Sequence, residues 1–203
     1  MNYYVVETDK HKLIQKTAGV KARQDVETIF KWNNLKKIEI PCLIVGRENK
    51  TRLVKIKAHY DVYMLWKNAL KKIKKNDWIY IQFPLLEHTM LFSLLIKNLE
   101  KRGIHTSIII HDVEAIRFTL RNDVPLSRKI RMRFEEISSF KNCSKIIVHN
   151  EKMKSFMHEK WKIHKDKMDI LGIFDYLVEN YNEELLEKRN LSRKGPVIIA
   201  GAL

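Results

Sequence analysis

His111, Asp112 and Glu114 follow directly on a run of isoleucines, Ile108 to Ile110. An imidazole exchanges protons near neutral pH and carboxylates accept them, so this His-Asp-x-Glu spacing is suited to acid–base work. The Asp-x-Glu pair also offers two oxygen ligands to a cation, but two carboxylates without a third ligand are a weak site, and no metal is expected. A second histidine, His149, ends the apolar run Lys145 to His149 and is followed by Asn150 and Glu151. Lys21, Arg23 and Arg117 supply cations of the kind that hold a phosphate or another anionic group. A lone histidine at a strand end is also commonly a capping or core residue, and both roles stay open for His111 and His149.

These residues need elements to hold them. Thr106 to Ile110 is apolar or β-branched apart from Ser107 and reads as a central strand covered on both faces. That puts His111, Asp112 and Glu114 at its carboxyl end, the edge at which open α/β sheets bind ligands. Asp77 to Pro84 reads as a second core strand ending in Gln82 and Pro84. Glu87 to Lys101 is a mostly apolar helix stopped at Gly103, and together these make a βαβ unit. Tyr3 to Glu7 and Ile38 to Val45 are further strands, the latter ending or bulging at Pro41.

Val20 to Asn33 has helical spacing through Val26, Ile29 and Phe30, with Gly19 just before it. A Gly-then-basic run from Gly19 to Arg23 at such a turn can approach a phosphate through its amides. The same residues also suit a plain loop and a solvated helix start. Tyr60 to Ile73 is a helix closing in Lys71, Lys72, Lys74 and Lys75, where cations favour the macrodipole.

Pro125 opens a basic helix reaching Asn142. Its first turns carry Arg128, Lys129, Arg131 and Arg133, which oppose the helix dipole. Either an anionic partner offsets them, or the face is solvated and balanced by Glu135 and Glu136. Asn150 is placed to cap a helix through Trp161, and Lys167 to Leu171 is a short strand delivering Phe174 and Asp175 to the same edge. Val178 to Asn190 reads as an acidic, partly exposed helix or linker. Residues 196–203, PVIIAGAL, read as a strand entering a glycine turn, the usual opening of a new βαβ unit.

The composition agrees with an α/β domain: 203 residues, 45% hydrophobic and 31% charged, with few glycines and prolines. A formal charge of +15 makes the surface attractive to phosphates, anionic lipid or nucleic acid. Cys42 and Cys143 form no CxxC and suggest neither a disulfide framework nor a zinc site. The amino-terminal stretch carries Glu7 and Asp9, unlike a signal peptide, and no apolar run nears the ~20 residues of a membrane span. A cytoplasmic protein, at most peripheral to the inner face of the plasma membrane, is expected. No RRM, KH or helix-turn-helix pattern is present, so nucleic acid is not expected as a partner.

The combination IIIHDVEAIR (108–117), IVHNEKMKSFM (147–157), LGIFDYL (171–177), GVKARQD (19–25) and IQFP (81–84) resembles bacterial GT-B glycosyltransferases of the galactofuranosyltransferase and related glucosyltransferase group. The resemblance implies two Rossmann-like domains facing across a cleft, the first binding the acceptor and the second the nucleotide sugar. On that basis residues 1–190 are the acceptor-side domain. Residues 191–203 are then a linker and the first strand of a second domain, and this chain alone is expected to be inactive.

The implied reaction moves a hexosyl unit, of galactofuranose or glucose type, from a UDP-sugar to a saccharide or lipid-linked glycan acceptor in cell-surface polysaccharide or glycoconjugate synthesis. No further cofactor is implied, and a homo-oligomer is compatible. In that frame His111 and Asp112 are the catalytic candidates. Gly19, Lys21, Arg23, Gln82, Glu114, Arg117, His149, Asn150, Phe174 and Asp175 are the substrate-binding candidates. The competing reading from another class is a non-catalytic basic α/β domain that binds an anionic membrane or nucleic acid.

Overall fold

The computed structural model describes residues 1–8, 18–43, 51–118, 123–172 and 177. Six strands form one sheet: β1 (Asn2–Thr8), β2 (Lys36–Pro41), β3 (Trp78–Phe83), β4 (His105–Ile110), β5 (Lys145–Val148) and β6 (Met168–Ile170). Their order is β2-β1-β3-β4-β5-β6, and every neighbouring pair is parallel. This is the expected Rossmann-like α/β architecture, with the strands carrying Tyr3, Ile79, Ile108 and Ile147 side by side.

Parallel strands need crossovers, and helices supply them: α1 (Ala18–Trp32), α2 (Arg52–Ala69), α3 (Phe92–Lys101), α4 (Glu114–Arg117), α5 (Leu126–Met132), α6 (Ser138–Asn142) and α7 (Glu151–Trp161). A π-helical turn, Arg133–Ile137, joins α5 to α6. The core between sheet and helices is built on Ile79, Ile81, Phe83, Ile108 and Ile146 from the strands. Trp66, Phe92, Leu99 and Phe140 meet them from the helices, and all are buried. Thr106 is accommodated at the buried start of β4 because its amide and hydroxyl both donate to Glu100, at 2.8 and 2.6 Å.

The sheet is wound both ways from β1: β2 lies on one side of it and β3 on the other. Crossovers leaving in opposite directions part the loops at the carboxyl ends of β1 and β3, and the resulting crevice is the standard ligand position in such sheets. The expectation centred the site one strand further along, on β4.

Several boundaries differ from the sequence reading. Gly19 lies inside the first turn of α1 rather than in a loop before it, so the Gly-then-basic run is helical. The strand expected at 38–45 is Lys36–Pro41. The helix expected to begin at Tyr60 begins at Arg52, where the Thr51 hydroxyl caps Val54 N; its first turns carry exposed apolar residues and so lack the amphipathic signal. It ends at Ala69, so the lysines at 71–75 stand beyond its last turn.

The helix expected from Glu87 starts only at Phe92. The Thr89 hydroxyl donates to His59 O and accepts from Leu91 N, which ties that stretch to α2 as turns. Gly103 follows the C-cap with φ +73°, and a Cβ there would meet Lys75 Cγ at 2.8 Å. The expected helix at 178–190, the strand at 196–203, Phe174 and Asp175 lie outside the described residues.

Candidate functional site

The crevice between β1 and β3 holds a cavity of ≈ 390 Å³. Val5, Ile81 and Trp66 give it an apolar wall, and Glu7, Arg23, Glu27 and Gln82 carry its polar groups. Glu7 and Gln82 sit near the carboxyl ends of β1 and β3, while Arg23 and Glu27 share one face in the middle of α1 at four-residue spacing.

Hydrogen bonds fix the geometry. Glu7 accepts from Leu86 N at 2.8 Å and from Glu87 N at 3.3 Å, which pins the loop after β3 over the end of β1. The Arg23 guanidinium donates to the carbonyl of Pro84, whose peptide bond with Phe83 is cis. Burial pushes the Glu7 carboxyl up to about 7 despite these amides and the nearby Arg23 charge. Burial also lowers the Arg23 guanidinium and raises Glu27.

His111 joins this crevice through Gln82. Gln82 Nε2 donates to Arg23 O at 3.4 Å, which turns its Oε1 toward His111 Nε2 at 2.7 Å. An amide oxygen only accepts, so Nε2 carries the proton and Nδ1 is the basic nitrogen of His111. Burial lowers the His111 imidazole to about 4, with the Arg23 and His149 charges acting in the same direction. The ring is therefore neutral at physiological pH. His149 Nε2 lies 3.3 Å from the His111 carbonyl, so the two strand-end histidines are adjacent.

Asp112 faces a different space. Its Oδ1 accepts from Val113 N and its Oδ2 pairs with Arg117, each at 2.8 Å. Together with Glu114, Arg128 and Arg131 it lines a second cavity of ≈ 370 Å³. The adjacent residues His111 and Asp112 thus serve opposite sides of the β4 end.

Glu114 is bound by both Arg128 and Arg131, and these two arginines outweigh burial and hold its carboxyl below the usual range. The anion that offsets the basic start of α5 is therefore the chain's own Glu114. Glu135 and Glu136 do not balance a solvated face: both are buried, on the π-turn. Glu135 pairs with His88 and lies 3.7 Å from Arg131, and Glu136 accepts from Ala115 N at 2.7 Å.

The remaining candidates hold structure. Lys21 pairs with Asp25 and donates to Leu177 O at 3.0 Å, while Asp25 accepts from Leu177 N at 3.0 Å, so the pair ties the chain after β6 to α1. Asn150 Oδ1 caps α7 through Met153 N at 2.9 Å. Gly19 is exposed. Sequence reading missed Glu7, Glu27, His88 and the buried pair Glu135–Glu136. Glu7 had a signal, since it nears the end of the first strand at the ligand edge. Among the described residues no group of three or more His, Cys, Asp or Glu could hold a metal ion.

A parallel α/β sheet with polar groups gathered at its carboxyl-end switch point defines a Rossmann-like ligand-binding domain. Residues 2–173 match the family model for the glucosyltransferase 3-like, N-terminal domain. The chain belongs to that family, and its role is that of a glycosyltransferase N-terminal domain. No curated protein sequence matches it.

Proposed function

We propose that this chain is the acceptor-side half of a GT-B transferase that passes a hexosyl unit, of glucose or galactofuranose type, from a UDP-sugar to a glycan or lipid-linked hydroxyl. The observation that carries the reading is the Arg23–Gln82–His111–His149 cluster at the switch point, beside the cavity lined by Glu7 and Glu27. Sugar hydroxyls suit a crevice of carboxylates, amides and one guanidinium over an apolar wall.

As the acceptor oxygen attacks the anomeric carbon its proton becomes acidic, and a neutral imidazole beside it takes that proton at Nδ1. Gln82 holds the ring in the required tautomer, as an orienting group does for any catalytic histidine. An anionic group of the substrates next to Arg23 would neutralise a charge that now opposes protonation of the ring. The nucleotide sugar is assigned to a second domain across the cleft.

The test is UDP release by the transferase carrying both domains, supplied with UDP-hexose and a glycan acceptor. His111→Ala should lose roughly 10²- to 10⁴-fold in turnover with an unchanged melting temperature. A destabilised but fully active His111→Ala enzyme would sink the assignment.

A further inference from the structure

A third cavity, an open groove of ≈ 630 Å³, runs between the α5–α6 helix and α7. Ile130, Ile137 and Trp161 give it apolar lining, and Lys129, Arg133, Lys141 and Lys160 supply its cations. Among the described residues no carboxylate lines it, whereas Glu7 and Glu27 line the crevice at the switch point and Asp112, Glu114 and Glu136 line the cavity beside β4. Along the same helix Leu126, Ile130 and Phe134 are 73%, 42% and 50% exposed. Their four-residue spacing sets them in one row, a continuous stripe rather than scattered surface apolar residues.

The helix also sorts its cations. Arg128 and Arg131 turn to Glu114, while Lys129, Arg133 and Lys141 form no ion pair among the described residues. We propose that this stripe and groove are a docking surface for an anionic lipid bilayer. Leu126, Ile130 and Phe134 enter the boundary between headgroups and acyl chains, and the unpaired lysines and arginine extend to the lipid phosphates around them.

Charge complementarity selects this occupant. A second copy would bring another chain of formal charge +15 against a cationic rim. Nucleic acid would meet the charges but leave the apolar row without a partner. The inference stands apart from the glycosyl-transfer reading, because binding to vesicles is measured without turnover.

The experiment is co-sedimentation of the chain with vesicles of phosphatidylcholine alone and of phosphatidylcholine with phosphatidylglycerol. Binding is expected only with phosphatidylglycerol and should weaken as salt is raised. Lys129→Glu/Arg133→Glu and Leu126→Ser/Phe134→Ser should each lower the bound fraction constant on the order of tenfold at an unchanged melting temperature. The charge-matched control Lys97→Glu/Lys101→Glu on α3 should bind as the unaltered chain does. Equal binding to neutral vesicles, or full binding by both groove variants, would overturn the proposal. So would groove variants that abolish self-association of a chain that never binds vesicles.

Discussion

Gln82 decides what His111 can do. Its amide nitrogen is committed to Arg23 O, so only its oxygen meets the ring, and the imidazole keeps its proton on Nε2. Burial, helped by the neighbouring Arg23 guanidinium, then holds the ring neutral down to about pH 4. Replacing the amide by a carboxylate would favour the imidazolium. Gln82→Glu should therefore move the acid limb of kcat/KM upward from near 4 toward neutrality, as measured by UDP release across pH. An acid limb that stays in place would show that His111 is not the titrating base. A purely structural role for Gln82 would change the melting temperature without moving the profile.

At the scale of elements, the π-turn is the feature with the largest consequence. The wider turn at Arg133–Ile137 buries Glu135 and Glu136 together. One of them is useful to α4, whose own N-cap residue, Val113, offers no side-chain hydrogen bond; Glu136 reaches across to bind Ala115 N instead.

Burial, reinforced by Glu114 and Glu135, lifts the Glu136 carboxyl from 4.5 to about 7. A raised carboxyl keeps its proton in the fold after the unfolded chain has lost it. Its stabilising contribution is thus complete below 4.5 and gone above 7. Glu136→Gln keeps an acceptor for Ala115 N and cannot ionise. It should gain on the order of 3 kcal/mol above pH 7 and little near pH 4.5, read from denaturant melts at both ends. A variant equally destabilised at both ends would contradict the buried, protonated carboxyl.

Across the whole molecule the shifted groups pull in opposite directions. Glu7 and Glu136, both raised to about 7, favour the fold at lower pH. His111, lowered to about 4, favours it above 6.5 and is lost as pH falls toward 4. The raised carboxyls of Glu7, Glu27 and Glu136 against one lowered imidazole leave the folded chain holding more protons than the unfolded chain between roughly 4.5 and 6.5. Stability should therefore decline as pH rises through that window, contrary to the usual behaviour of proteins held by ionised carboxylates. Thermal melts across it would show the midpoint falling; a midpoint that climbs instead would refute the balance. No helix among the described residues is long and apolar enough to cross a membrane.

The sheet itself was legible in the amino-acid sequence. The apolar runs at Trp78 to Ile81 and Ile108 to Ile110 read as strands covered on both faces, and the helical spacing between them implies parallel crossovers. His111 and His149 at strand ends followed from the same pattern, because a strand that stops in polar residues must deliver them to its edge. The spatial order of the strands decided the rest.

Only folding puts β3 beside β1, opening the crevice where Glu7, Arg23 and Gln82 meet across more than seventy residues of chain. Only folding turns Asp112 away from His111, gives Glu114 to Arg128 and Arg131, and buries Glu135 with Glu136. Periodicity records which way each residue faces along its own element. The partner of a charged side chain belongs to another element, and the energy that chooses it, desolvation set against pairing, exists only once those elements are packed.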